Sequence, residues 1–160
     1  MILPWVEINL MGHQSFNAIE ITSALIGADI SNHPQNGFGL ADVTSSYADT
    51  SFAFISTMFV YWASIVMTVV AVASKSHRSQ FALIAGILHF SAGTAWIYSV
   101  ETVKDHFTET ALSMGGIVGE EWKENEDKFI DSIIAMGTAH YIVIGTGISA
   151  IFTGIWWKGS

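Results

Sequence analysis

Residues 74–100 read SKSHRSQFALIAGILHFSAGTAWIYSV: a short polar stretch holding Lys75 and Arg78 and no acid, then 20 residues without a formal charge. A helix of about 20 mostly apolar residues crosses the hydrocarbon core of a bilayer. The run at 81–100 therefore reads as a transmembrane helix, and SKSHRSQ as the tight turn leading into it. Two further stretches, 49–73 and 129–157, are long and apolar enough to do the same. All 14 carboxylates lie in residues 1–49 or between Glu101 and Asp131. Two crossings bring those segments to one side. The pattern predicts an all-α integral membrane protein: three transmembrane helices, with N-terminal interfacial or cap helices on the acidic, outer side.

Composition agrees. The 160-residue chain is 51% hydrophobic and 12% charged, against roughly a quarter charged in soluble domains. Its mean hydropathy is +0.45. We divide it into an outer cap segment, 1–48, and a three-helix transmembrane domain, 49–160, with an acidic outer loop at 101–128. The absence of cysteine excludes disulfides, thiolate metal sites, iron–sulfur clusters and a cysteine nucleophile. A net charge of −8 argues against nucleic acid as a partner, since phosphate is bound by basic surfaces. As a whole-chain value it also argues against docking on anionic lipid headgroups.

Orientation follows from the cations. Lys75, Arg78 and Lys158 lie on one side, and Lys104, Lys123 and Lys128 on the other. The basic pair sits in the tight turn, and the first 48 residues hold no Lys or Arg, which favours the N-terminus outside and the C-terminus cytoplasmic. The opening MILPWVEINLMG lacks the basic start of a secretory signal, so insertion is expected from the spans themselves. Apolar positions recur through Leu3, Val6, Leu10, Ile19, Leu25 and Ile26, predicting one or two interfacial helices within 1–30, with Trp5 at the interface. Residues 31–46 are rich in turn formers and read as a loop. In the outer loop Gly115-Gly116 marks a turn, and GEEWKENEDK a solvated helical lead-in to span three. Trp156, Trp157 and Lys158 form an interfacial anchor.

One constellation carries possible chemistry. Span two contains Gly86-Ile87-Leu88-His89-Phe90 and span three Gly137-Thr138-Ala139-His140-Tyr141, both of the form Gly-x-x-His-aromatic. On a helix the glycine shares a face with the histidine and leaves space beside its ring. Gly93 and Trp96 extend the stripe in span two, and Ile144 and Gly147 in span three. At 1.5 Å rise per residue, His89 and His140 fall about 18 and 14 Å below the acidic boundary, near the midplane. Two antiparallel helices could then offer both imidazoles to the iron of a b-type haem, with Gly86, Gly93 and Gly137 giving room to a flat tetrapyrrole. The same residues also fit close helix packing and hydrogen bonding with no cofactor.

His89-Phe90-Ser91-Ala92-Gly93, with Trp96 and Glu101, resembles a histidine-bearing helix of the membrane anchors of succinate dehydrogenase-type complexes. The likeness covers about one span. It implies a three-span anchor that holds haem b and quinone. A retinal protein is excluded, because all five lysines lie at or beyond span ends.

Outside the spans, Glu101, Asp105 and Glu109 recur every four residues, with His106 beside them. Such a set could bind a divalent metal, and an acidic mouth could steer a basic partner. No phosphate loop, HExxH or Ser-His-Asp pattern is present. The leading expectation is a small integral subunit of a membrane-bound oxidoreductase or electron-transfer complex, with other membrane subunits as partners in a hetero- or homo-oligomer. The alternatives are a cofactor-free accessory subunit, or a proton-conducting component relaying through His89, His140, Tyr98 and Tyr141.

Overall fold

The computed structural model describes residues 3–9, 13–25, 48–114 and 134–159. In chain order these form strands β1 (Pro4–Ile8) and β2 (Gln14–Asn17), helices α1 (Ala18–Leu25), α2 (Ala48–Ala73) and α3 (Arg78–Met114), strand β3 (Ile134–Met136) and helix α4 (Ala139–Gly159). Three helical stretches are long and apolar enough to cross a membrane: Ala53–Ala73, Arg78–Asp105 and Ala139–Lys158. The fold is mostly helical and compatible with an integral membrane protein.

The N-terminal segment departs from the expected helices. β1 is the middle strand of a three-stranded antiparallel sheet, order β2-β1-β3, with Val6 opposite Phe16 on one side and Met136 on the other. Pro4 opens the strand, where its missing N–H costs least; of the apolar positions that suggested helices, Val6 serves the sheet, while Ile19 and Leu25 lie in α1. Among the described residues there, α1 alone is helical. Asn17 caps it: Asn17 Oδ1 accepts from the Ile19 and Glu20 amides at 2.9 and 3.1 Å, while the Asn17 amide donates to Glu20 Oε2 at 2.9 Å. This is a reciprocal capping box. Trp62 Nε1 donates to Thr22 Oγ1 at 2.9 Å and ties α1 to α2.

Span three also starts later than residue 129. Residues 134–136 are strand, and α4 begins at Ala139, just after Thr138, a residue type favoured where a helix starts. The stretch 101–114, expected as the beginning of a loop, continues α3 because it holds no Gly or Pro. At 37 residues, α3 is about 55 Å long and outreaches a bilayer core. The proposed helical lead-in at 119–128, and residues 31–46, lie outside the described residues.

A register shift between Pro4 and Val6 makes Trp5 a bulge, and a bulge re-aims its side chain. The Trp5 indole stands edge-on to Tyr61 of α2 at 4.9 Å and to Trp96 of α3 at 5.1 Å, and Phe54 meets Trp96 at 5.0 Å. The Trp5 carbonyl accepts twice, from Trp96 Nε1–H at 2.9 Å and from the Gly137 amide at 3.0 Å. Thus one residue of β1 clamps α2, α3 and the segment leading into α4. Around it Val6, Phe16, Ile21, Met58, Val100 and Ile134 complete a core at the sheet-bearing end.

Helix α3 lies between α2 and α4, which scarcely touch each other. The α3–α4 contact is glycine-lined: a Cβ at Gly86 would sit 2.8 Å from the Gly147 carbonyl oxygen, and one at Gly147 would sit 2.7 Å from the Phe90 nitrogen. Small residues let membrane helices approach this closely. The outward faces carry Phe59, Val66 and Val69 on α2, Ile87 and Tyr98 on α3, and Phe152 and Ile155 on α4, all exposed. An apolar exterior this broad marks a surface that meets lipid or other protein.

Candidate functional site

The two histidines lie on adjacent helices but not at one level. His89 is mid-helix in α3, whereas His140 is the second residue of α4. A Cβ at Gly93 would meet the His140 carbonyl oxygen at 3.2 Å, and Gly86 faces Gly147 and Ile151. His140 is therefore level with residues one to two turns beyond His89, about 6 to 12 Å along the axis. The midplane position expected for His140 assumed a helix continuing back to residue 129, and β3 takes that place.

The space beside each histidine is also accounted for. At Gly86 the neighbour is α4 backbone, at Gly93 it is Ile144, and at Gly137 it is the backbone of Pro4 and Trp5. All three glycines sit where another chain segment needs the room. His89 is nearly buried, and its Nδ1 lies 2.9 Å from the Ala85 carbonyl one turn back. If that nitrogen carries the proton, Nε2 becomes the acceptor or ligand atom. His140 is 0% exposed, and neither Nδ1 nor Nε2 has a hydrogen-bond partner among the described residues. Its ring stacks obliquely on Tyr141, with centroids 3.8 Å apart. An orphaned polar group in a dry site costs about 1–3 kcal/mol, so the structure carries a penalty here with no visible return.

The proton-relay residues do not line up. Tyr98 and Tyr141 are 73% and 66% exposed and look outward, while His89 Nδ1 ends on its own helix backbone. At the acidic end, Glu101 and Asp105 are exposed on α3, and Lys104 pairs with Glu101 at 3.4 Å. His106 and Glu109 continue the same helix, but their side chains lie outside the described residues. Among the described residues no group of three His, Asp or Glu could hold a metal ion.

Sequence reasoning missed the clamp made by Trp5, Trp96 and Gly137. The alternation in Pro4-Trp-Val-Glu-Ile8 and the Asn17-x-x-Glu20 capping pattern were its available signals. It also missed an open groove of about 330 Å³ between α2 and α3, lined by Ala53, Thr57, Val60, Ser91, Ala95 and Ser99. Thr57 and Ser99 spend their hydroxyls on the Ala53 and Ala95 carbonyls. No protein-family model, curated protein or solved structure matches the chain.

Proposed function

We propose that the chain is a small three-span subunit of a membrane complex, its N-terminal sheet outside and its SKSHRSQ turn and the end of α4 cytoplasmic. Its role is to hold partner subunits rather than to carry out chemistry. The observation that supports this is the helix arrangement: α3 packs between α2 and α4, which scarcely touch each other, and all three helices keep apolar residues uncovered. Glycine positions that could have made room for a cofactor serve contacts within the chain instead. The acidic outer segments suit a basic partner surface.

A second reading, the electron-transfer subunit, draws on the histidines. The Nδ1 contact of His89 with a backbone carbonyl is the outer-shell arrangement that orients ligating imidazoles, and among the described residues no side chain holds the His140 ring nitrogens. In that version His89 and His140 would hold a b-type haem or another tetrapyrrole, and α3 and α4 would have to part to admit it. The haem would supply one-electron transfer, and the protein its burial and orientation.

One substitution separates the readings. In the accessory subunit, His140→Leu removes two orphaned nitrogens from a dry site at similar volume and raises stability by about 1–2 kcal/mol, read as a higher thermal midpoint in mild detergent. In the electron-transfer subunit, the same change abolishes the Soret and α-bands of the reduced-minus-oxidised spectrum of the intact complex. A coloured wild type bleached by His140→Leu or His89→Leu overturns the accessory reading.

A further inference from the structure

We propose that the basic end of the helix layer is a binding rim for anionic phospholipid headgroups. This rests on the three-span reading above. Lys75 and His77 lie in the turn, Arg78 opens α3 and Lys158 sits in the last turn of α4, and all four are exposed. Arg78 lies over the Trp157 ring, 5.0 Å from guanidinium carbon to ring centroid. Ser79 Oγ donates to the Gly154 carbonyl at 2.7 Å. These contacts gather cations from two helices onto one rim. His77 stands edge-on to Phe81, with centroids 6.3 Å apart, so it borders the same surface.

Among the described residues no carboxylate offsets them. Of the nearest in sequence, Asp131 lies outside the described residues, while Asp49 and Glu101 sit at the far ends of their helical stretches, about 30 Å or more away. The Debye length in physiological salt is about 8 Å, so those acids are screened at this end. The net charge of −8 therefore hides two ends: three cations at the rim, and −11 elsewhere from 14 carboxylates and three lysines. The partner is diffuse and anionic, because the chain brings cations and no acid. Its depth is set by Trp156, 75% exposed, and its neighbour Trp157, which suit the headgroup layer. A lipid phosphate lies at that depth, and the flat guanidinium of Arg78 matches it with two parallel donors.

Nanodiscs of phosphatidylcholine, with or without phosphatidylglycerol, test the rim by native mass spectrometry of retained lipid and by thermal midpoint. Wild type is expected to retain phosphatidylglycerol over phosphatidylcholine about tenfold, and the Lys75→Gln, Arg78→Gln, Lys158→Gln triple variant about twofold or less. Lys104→Gln, at the opposite end, keeps the preference. If the triple variant does not fold, Arg78→Gln and Lys158→Gln singly are each expected to lose about two- to fivefold. Equal retention in wild type and these variants overturns the proposal, as does no preference in wild type. A midpoint raised as much by inorganic phosphate in pure phosphatidylcholine as by phosphatidylglycerol also overturns it, in favour of a soluble anion. A wild type that stays soluble without detergent and enters no nanodisc defeats the three-span reading itself; one that enters without lipid preference defeats only the rim.

Discussion

Leucine at Gly147 drives α3 and α4 apart and lowers stability by about 3–4 kcal/mol. A Cβ there meets the Phe90 nitrogen at 2.7 Å and the Gly86 carbonyl oxygen at 2.8 Å. Both obstacles are backbone, so no rotamer change relieves them, and the helices must separate along the whole contact. Separation also strips the packing of Ile144 and Ile151 against Gly93 and Gly86. Gly145, two residues earlier, has nothing within 4 Å of an added Cβ. Gly145→Leu is therefore expected to be neutral, or stabilising by up to about 1 kcal/mol, because leucine favours helix over glycine. Thermal or denaturant unfolding in one detergent gives both numbers. Equal losses at the two positions would mean that α4 does not meet α3 along the Gly86–Gly147 face.

Alanine at Gly137 is the second large loss, about 3–5 kcal/mol. The new methyl collides with the backbone of Pro4 and Trp5, so β1 has to withdraw. Withdrawal breaks the Gly137 amide bond to the Trp5 carbonyl, and the indole N–H of Trp96 loses the same acceptor. The Trp5 ring leaves its edge-on contacts with Tyr61 and Trp96. A red shift in tryptophan emission reports the change directly. Because both substitutions undo one clamp, Gly137→Ala combined with Trp5→Ala costs little more than either alone. Additive losses would show that Gly137 acts elsewhere.

What the sequence revealed and what it hid follow from the physics of each segment. Long apolar runs announce spans by length alone, so α2 and the apolar part of α3 were legible within a few residues. The start of α4 was not, because Ile134, Ala135 and Met136 are as apolar as a span. Their strand state depends on pairing with β1, more than 120 residues away in sequence. Trp5 read as an interfacial residue for the same reason: its bulge forms only when β1 pairs with β2, and its carbonyl is bonded only when β1 meets Trp96 and Gly137. The Gly-x-x-His pattern marked a glycine three residues before each histidine, but Gly137 precedes α4 and shares no helical face with His140. The pattern could not say whether a cofactor or a neighbouring backbone takes the room, and in this structure a neighbouring backbone or side chain does. The acidic cluster was legible only as spacing, which α3 carries through Glu101 and Asp105. The whole-chain charge of −8 averages over a basic end where Lys75, Arg78 and Lys158 have no acid within twenty residues in sequence.

The sheet and the basic turn are expected on opposite sides of a membrane. The chain has no cysteine, so single cysteines report without background. Ser15 in β2, Ser76 in the turn and Lys158 in α4 are all exposed. A membrane-impermeant maleimide applied to intact cells is predicted to label Ser15→Cys at once, and Ser76→Cys and Lys158→Cys only after the membrane is opened. Labelling of all three from the same side would contradict the three crossings.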